Sequence, residues 1–152
     1  PSTDLDTLYL KSRSEGFGPE VQSRILMGTY VLSAEYHQAY YQQAQCIRRL
    51  ICDAFTETLQ QVDLLLAPVT PTPAFPLGHH KKDPVAMALE DVFTVGVNLA
   101  GLPAITFPIG FDQGLPLGIQ CIGRHFDEST LLRVAHQFQQ HSDHHLKIPK
   151  LL

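Results

Sequence analysis

Four prolines fall within nine residues, at positions 68, 71, 73 and 76, directly after the apolar run 64–67. Proline fixes φ and has no amide donor, so this stretch cannot form a helix or a central strand. A short run that is apolar throughout is typical of a strand covered on both faces. The pattern therefore predicts a strand over 64–67 and an extended loop over 68–76. In open α/β sheets, ligands bind beyond this end of the strands.

Helices are predicted on both sides of this loop. A first helix is predicted over 20–32, and a second over 35–61, where apolar side chains recur at three- and four-residue steps. Asp83 followed by a proline predicts an N-cap and a helix that continues to about residue 99. Residues 1–18 are polar and weakly patterned, so they are predicted to form a loop.

The last part of the chain predicts a hairpin and a final helix. Strands over 104–107 and 117–122 flank a turn over 112–116, Asp127 precedes a helical pattern, and the tail 142–152 is predicted to be mobile.

This order of elements indicates an α/β fold with a mixed β-sheet flanked by helices. About three strands are fewer than the ~5–6 of a typical sheet, so we expect a sheet edge to be covered by other polypeptide and the isolated chain to self-associate.

Composition argues against several classes of function. The chain has 11 Lys and Arg against 15 Asp and Glu, a net charge of -4, and no basic run interleaved with aromatic residues that would indicate nucleic-acid binding. No apolar stretch is long enough to cross a bilayer, and no signal peptide is recognisable, so a soluble, cytoplasmic protein is expected. The three cysteines are expected to be reduced thiols, and His141, His144 and His145 are not expected to form a metal site.

Several ordered strings of residues resemble the C-terminal pattern of the amidase-signature family. They are Asn98–Ala104, Pro108–Gly110, Gly114–Gln120 and Ile122–Gly123. Further strings are similar to the glutaminase subunits, or A subunits, of tRNA-dependent amidotransferases within that family, namely Ser14–Gly18, Arg24–Ile25, Gly28–Tyr30, Tyr40–Tyr41 and Ala44–Gln45. The resemblance covers nearly the whole chain.

The resemblance implies that residues 1–152, which begin without an initiator Met, are the C-terminal third of a single large amidase domain. Members of the family hydrolyse amides with a Ser, a second Ser in cis peptide linkage and a Lys, carried on a Gly/Ser-rich segment. The serines of this sequence are scattered, and none lies in a Gly-rich turn that would place a hydroxyl beside an oxyanion hole. We therefore expect the chain alone to be inactive.

The resemblance also implies that Arg24 and Asp91 bind glutamine. The carboxylate of glutamine requires a planar cation, and its ammonium requires a carboxylate. The alternative for Arg24 is a solvated ion pair with Glu20. The alternative for Asp91 is an exposed acid beside Glu90, although the prediction places Asp91 midway along an apolar helix, where an inward charge would need a partner.

The proline-rich loop carries two further candidates. Thr70 and Thr72 are expected either to line the active-site side of the sheet or to be simple turn residues. Two neighbouring residues depart from the family pattern: Val69 stands where a threonine is more usual, and Gly96 where a proline is more usual.

The resemblance implies an assembly that converts Glu-tRNA(Gln) to Gln-tRNA(Gln), with Asp-tRNA(Asn) as a second potential substrate. A kinase-like B subunit would use ATP and magnesium and hold most of the tRNA, and a small C subunit would bridge the other two. The chain itself is expected to bind no cofactor. The alternatives are a stand-alone amidase for small carboxamides and a non-catalytic interaction module. The mass of the natural polypeptide separates a module of 16.9 kDa from a larger enzyme.

Overall fold

The structure, a computed structural model, describes residues 4–79 and 83–149, apart from the side chain of Pro84. Contacts divide the chain into an N-terminal unit, residues 1–47, and a C-terminal unit, residues 48–152. Among the described helices, none combines the length and apolar character needed to cross a bilayer.

The N-terminal unit begins with a helix that the sequence did not predict. Helix α1 spans Leu5–Ser14, within the stretch that we expected to be a loop. Asp4 is its N-cap: one carboxylate oxygen accepts the Thr7 amide at 2.7 Å and the other accepts the Thr7 hydroxyl at 2.8 Å. The prediction for residues 1–18 was therefore wrong over α1. An N-cap side chain that accepts the amide of the third helical residue can support a helix that has no apolar periodicity.

Helix α2 spans Pro19–Val31, one residue from the predicted bounds at either end. A π-helix over His37–Gln42 then leads into α3, Gln43–Gln61. The predicted helix over 35–61 is thus confirmed from residue 37, and its first six residues form the wider turns of a π-helix. Next to that turn, the rings of Tyr30 and Tyr36 stack with their centroids 4.3 Å apart.

The C-terminal unit is built on a three-stranded sheet. Strands β1 (Leu65–Pro68), β2 (Ala104–Asp112) and β3 (Leu115–Ile122) lie in the order β1-β3-β2. The α/β class is confirmed, and the predicted hairpin is present as β2 and β3, joined at Gln113 and Gly114, which both have positive φ. The sheet is not mixed, because both pairings of the described strands are antiparallel.

Helix α4 (Pro84–Leu89) and helix α5 (Val92–Ala100) replace the single predicted helix over 83–99. The N-cap prediction for Asp83 is confirmed, since its carboxylate accepts the amides of Val85 and Ala86. The break falls at Glu90 and Asp91, whose amides donate to carbonyls only three residues back, at 3.3 Å each. Apolar periodicity continues through such a turn, so the sequence pattern did not reveal it.

Helix α6 (Glu128–Gln140) covers one face of the sheet. Phe107 and Cys121 of the sheet pack there against Leu131 and Ala135 of the helix, and burial raises the pKa of the Cys121 thiol. Asp127 is the N-cap residue of this helix, as predicted. The Thr130 hydroxyl donates a hydrogen bond to the Asp127 carboxylate and lowers the pKa of that group, and the Ser129 hydroxyl does the same to a smaller extent.

The segment after α6 packs on the sheet as far as it is described. A 3-10 helix over His144–Leu146 places the His144 ring 5.9 Å from the Phe111 ring and 6.4 Å from the Phe138 ring, centroid to centroid. The mobility predicted for the tail 142–152 stays a prediction, and within it residues 144–146 form this helical turn. The run His79–Lys82 is expected from its sequence to be a solvated loop, and apart from His79 it lies outside the described residues.

Two arginines join distant helices of the C-terminal unit through backbone carbonyls. Arg124, just after β3, donates to the carbonyls of Leu59 at 2.9 Å and Val62 at 3.0 Å, at the end of α3. Arg48 of α3 donates to the carbonyl of Leu99, near the end of α5, at 2.8 Å. The last carbonyls of a helix have no intrahelical partner, so these bonds stabilise both helix ends.

Gln120 is a buried polar residue at the centre of this unit. It lies on β3, and only 2% of its surface is exposed. Its side-chain amide donates to the carbonyl of Phe93 in α5 at 2.8 Å and to that of Pro68 at the end of β1 at 3.0 Å. One side chain thus connects three elements of the fold.

We predict that Gln120→Leu lowers the free energy of unfolding of this chain by about 1–3 kcal/mol, since two carbonyls lose their donor in a partly buried setting. Urea denaturation measures the change. Gln140→Leu, the same replacement at an exposed site at the end of α6, is the control and should change the free energy by less than about 0.5 kcal/mol. Equal effects of the two variants would contradict the role given to Gln120.

Candidate functional site at the proline-rich loop

A groove of about 350 Å³ lies at the carboxyl end of β1. The proline-rich loop forms one wall, and residues of the β2–β3 hairpin form the other. The lining includes Pro68, Thr70, Thr72, Ile109, Leu117 and Ile119. The loop predicted over 68–76 is confirmed over 69–76, whereas Pro68 is the last residue of β1 and not part of the loop. Both threonines that the sequence singled out therefore face a groove, although their role in an active site stays a prediction.

The threonine hydroxyls hold this loop in place. Thr70 donates its hydroxyl to the carbonyl of Thr72 at 2.8 Å, which closes a short turn within the loop. Thr72 donates its own hydroxyl to the Glu90 carboxylate, at 3.2 Å from one oxygen and 3.4 Å from the other. The loop is thereby joined to the break between α4 and α5.

Asp91 lies at that break, as the N-cap residue of α5. Its backbone carbonyl accepts the amides of Thr94 and Val95, both at 3.0 Å, and the Thr94 hydroxyl at 3.1 Å. The expectation that Asp91 lies midway along a helix was wrong, and the residue is exposed. The backbone of Asp91 is therefore used for structure, while its carboxylate lies in solvent at the start of a helix, where the helix dipole favours a negative charge.

Arg24 lies on α2 and pairs with Glu20, one turn earlier. Its Nε atom is 2.9 Å from the Glu20 carboxylate, and the two side chains are 75% and 76% exposed. This is the solvated ion pair that we considered as the alternative. An exposed pair of this kind is worth little, so the guanidinium can exchange Glu20 for another carboxylate at small cost.

Arg24 and Asp91 belong to different units, and the structure describes each residue within its own unit. Their joint role in binding glutamine stays a prediction. Among residues 4–79 and 83–149, no group of three or more His, Cys, Asp or Glu side chains is placed to hold a metal.

Sequence reasoning did not identify Glu90 and Gln120 as parts of this region. Glu90 was considered only as a neighbour of Asp91, and the structure shows it half-buried and bonded to the loop. The position of Gln120 could have indicated a buried polar residue, since it directly precedes the buried run Cys121–Gly123 at the end of a strand. A buried amide requires partners, and the sequence alone does not say which carbonyls they are.

Comparison with known proteins identifies a family. The family model described as Amidase matches residues 2–132. The A subunit of the glutamyl-tRNA(Gln) amidotransferase of Nitrosococcus oceani is 59% identical over 146 residues, and the match covers 96% of this chain and 30% of that protein. The protein of the same name from Halorhodospira halophila is 56% identical over 147 residues, with 97% and 30% covered.

The crystal structure of the glutamyl-tRNA(Gln) amidotransferase A subunit from Thermotoga maritima has a similar fold. It is 45% identical with a TM-score of 0.63, and the match covers 84% of this chain and 28% of that one. This chain spans about 30% of the length of the curated relatives that it matches.

Neither Arg24→Ala nor Asp91→Asn should change the stability of this chain by more than about 0.5 kcal/mol, because both side chains are exposed and Asp91 contributes to α5 through its backbone. Thermal unfolding followed by circular dichroism tests both variants. A loss of more than about 2 kcal/mol in either variant would mean that its side chain has a structural partner in the fold, and neither variant could then serve as a clean probe of ligand binding.

Proposed function

Because the chain belongs to the amidase family, we propose that it forms part of a larger amide-hydrolysing enzyme, the glutaminase subunit of a glutamyl-tRNA(Gln) amidotransferase. The observation that carries this proposal is the 59% identity to the Nitrosococcus oceani protein over 96% of the chain. The 45% identity to the Thermotoga maritima structure supports it independently at the level of the fold.

In the proposed reaction, water cleaves the side-chain amide of glutamine and releases glutamate and ammonia. The ammonia then displaces the activated group of a glutamyl-tRNA to form a new amide. The Ser, the cis-linked Ser and the Lys of the amidase family would belong to the longer polypeptide that contains this chain. The present residues would contribute to substrate binding and not to bond cleavage.

Arg24 and Asp91 are the proposed binding residues for the two charges of glutamine. A guanidinium can form two parallel hydrogen bonds to a carboxylate, and it stays charged at all physiological pH values. A carboxylate on a fixed helix N-terminus can accept hydrogen bonds from the ammonium group. Among the described residues, Arg24 forms an exposed ion pair and the Asp91 side chain is exposed, which is compatible with this role because a binding side chain must be able to exchange partners.

The partners and cofactors follow from the same proposal. The B subunit would activate glutamyl-tRNA with ATP and magnesium and would hold most of the tRNA, and the C subunit would bridge it to the glutaminase. The assembly would act in the cytoplasm, with Asp-tRNA(Asn) as a further potential substrate. Co-purification with a tagged form of the full-length glutaminase would test this composition.

In the longer polypeptide that contains this chain, Arg24→Ala and Asp91→Asn should each raise the KM for glutamine by about tenfold or more, because each removes a charge-assisted hydrogen bond. The rate with free ammonia as donor should not change. Steady-state kinetics with glutamine and with ammonium chloride measure both quantities.

Arg49→Ala is the matched control for this experiment. Arg49 forms the same type of exposed ion pair one turn apart on α3, with Nε 2.9 Å from the Asp53 carboxylate. The control should keep the glutamine KM within about twofold. An unchanged KM in both test variants would show that neither residue binds glutamine.

The isolated 152-residue chain should release no ammonia from glutamine and should self-associate. It lacks the proposed triad, and large apolar side chains such as Leu66 on β1, 60% exposed, and Leu26 on α2, 71% exposed, face solvent. A coupled glutamate assay and light scattering at increasing concentration measure the two properties. Ammonia release by the pure chain would contradict the proposed division of roles, and a compact monomer at high concentration would contradict self-association.

A further inference from the structure

Gln120 connects the sheet to the end of α5 that carries Asp91. We infer that Gln120 is a positioning residue for the proposed glutamine site, because its side-chain amide fixes the first turn of α5, and with it Asp91, against the sheet. The inference rests on the proposed function, which assigns the ammonium group of glutamine to Asp91. Gln120 is 2% exposed, so it acts through the place that it gives to α5 and not by touching the substrate.

Asp91 is a fixed part of α5. Its carbonyl accepts the amides of Thr94 and Val95, both at 3.0 Å. These bonds set the place of Asp91 within the helix, but they do not set where the helix lies on the sheet. The location of the Asp91 carboxylate in the molecule therefore depends on the contacts that hold this end of α5.

The two ends of α5 are packed differently. Near the C-terminal end, Val97 and Ala100 are buried. Near the N-terminal end, the side chains of Val92, Phe93 and Val95 are 53%, 39% and 47% exposed. Burial of apolar surface stabilises the position of a helix in proportion to the area that is covered. Apolar packing therefore holds the C-terminal end of α5 more firmly than the end at Asp91, where polar contacts matter more.

The Gln120 side chain makes such a polar contact. Its amide nitrogen donates to the carbonyl of Phe93, two residues after Asp91, at 2.8 Å. The same nitrogen donates to the carbonyl of Pro68, at the end of β1, at 3.0 Å. Both amide protons are thus used, and a shift of α5 along the sheet would break one of the two bonds. The amide holds the first turn of α5 to the carboxyl end of β1, which keeps the Asp91 carboxylate in one place, as a binding group requires.

The other end of α5 provides an internal comparison. Arg48 of α3 donates to the carbonyl of Leu99 at 2.8 Å, about two turns after Asp91. This bond also ties α5 to another element through a backbone carbonyl. Its loss should loosen α5 at the end that does not carry Asp91, so the two bonds separate the placing of Asp91 from the general stability of the helix.

The test uses the longer polypeptide that contains this chain, with glutamine and with ammonium chloride as donors. Gln120→Met keeps the length of the side chain but removes both donors. It should raise the KM for glutamine about three- to tenfold, the effect of one lost hydrogen bond. The turnover number with glutamine and the ammonia-dependent rate should stay within about twofold. A purely structural role would instead reduce the amount of active enzyme, which lowers the turnover and leaves the KM unchanged.

Gln120→Asn is the second variant, for use if circular dichroism shows that Gln120→Met does not fold. Its side chain stays polar, but it is one methylene shorter and cannot span both carbonyls. The KM for glutamine should rise in the same direction.

Arg48→Met is the matched control, because it removes the bond at the other end of α5. It should keep the KM for glutamine within about twofold. The double variant Gln120→Met with Asp91→Asn isolates the mechanism. If Gln120 acts through Asp91, the double variant should have the KM of Asp91→Asn alone.

Three results would overturn the inference. The first is an unchanged KM for glutamine in the folded Gln120 variant. The second is an equal rise of the KM in Arg48→Met, which would mean that any loosening of α5 is sufficient. The third is a KM effect that adds in full to that of Asp91→Asn. Failure of the proposed function is distinct from these results, since it would appear as an unchanged KM in Asp91→Asn itself and would remove the inference with it.

Discussion

The C-terminal unit depends on the two hydrogen bonds that the Gln120 side chain donates. β1, β3 and α5 meet at a buried amide whose partners are backbone carbonyls at the end of one strand and in the first turn of a helix. An unpaired donor or acceptor at such a depth costs more than the bond itself contributes, so this arrangement excludes alternatives in which the elements shift relative to each other. The proline-rich loop therefore leaves the sheet from a defined point.

Hydrogen bonds from arginine side chains to backbone carbonyls also connect the helices of this unit to distant parts of the chain. Arg124 reaches the end of α3, and Arg48 of α3 reaches the end of α5. Each guanidinium satisfies carbonyls that a helix end leaves free, and it does so between elements far apart in sequence. The apolar core between the sheet and α6 supplies burial, while these polar contacts decide how the helices are placed.

The candidate site combines a fixed backbone with free side-chain charge. Asp91 is held through its carbonyl and through its neighbours Glu90 and Phe93, and its carboxylate remains exposed. Arg24, in the N-terminal unit, lies on a regular helix and forms an exposed ion pair with Glu20. A joint role of these two charges in binding a zwitterionic ligand stays a proposal.

The sequence by itself determined the features that depend on neighbouring residues. Proline chemistry predicted the loop, which is confirmed over 69–76, and the residues around Gly114 predicted the hairpin. Helix-start residues and apolar periodicity predicted α2, α6 and most of α3. The family and the two candidate binding residues came from ordered strings, which need no coordinates.

Only the tertiary structure decided the antiparallel pairing of β1 with β3, the break at Glu90 and Asp91, and the partners of Gln120 and Arg124. Those features depend on hydrogen bonds between groups that are 18 to 65 residues apart. No local pattern encodes such bonds, because each partner is chosen by where folding brings the backbone and not by what lies next to it in the chain.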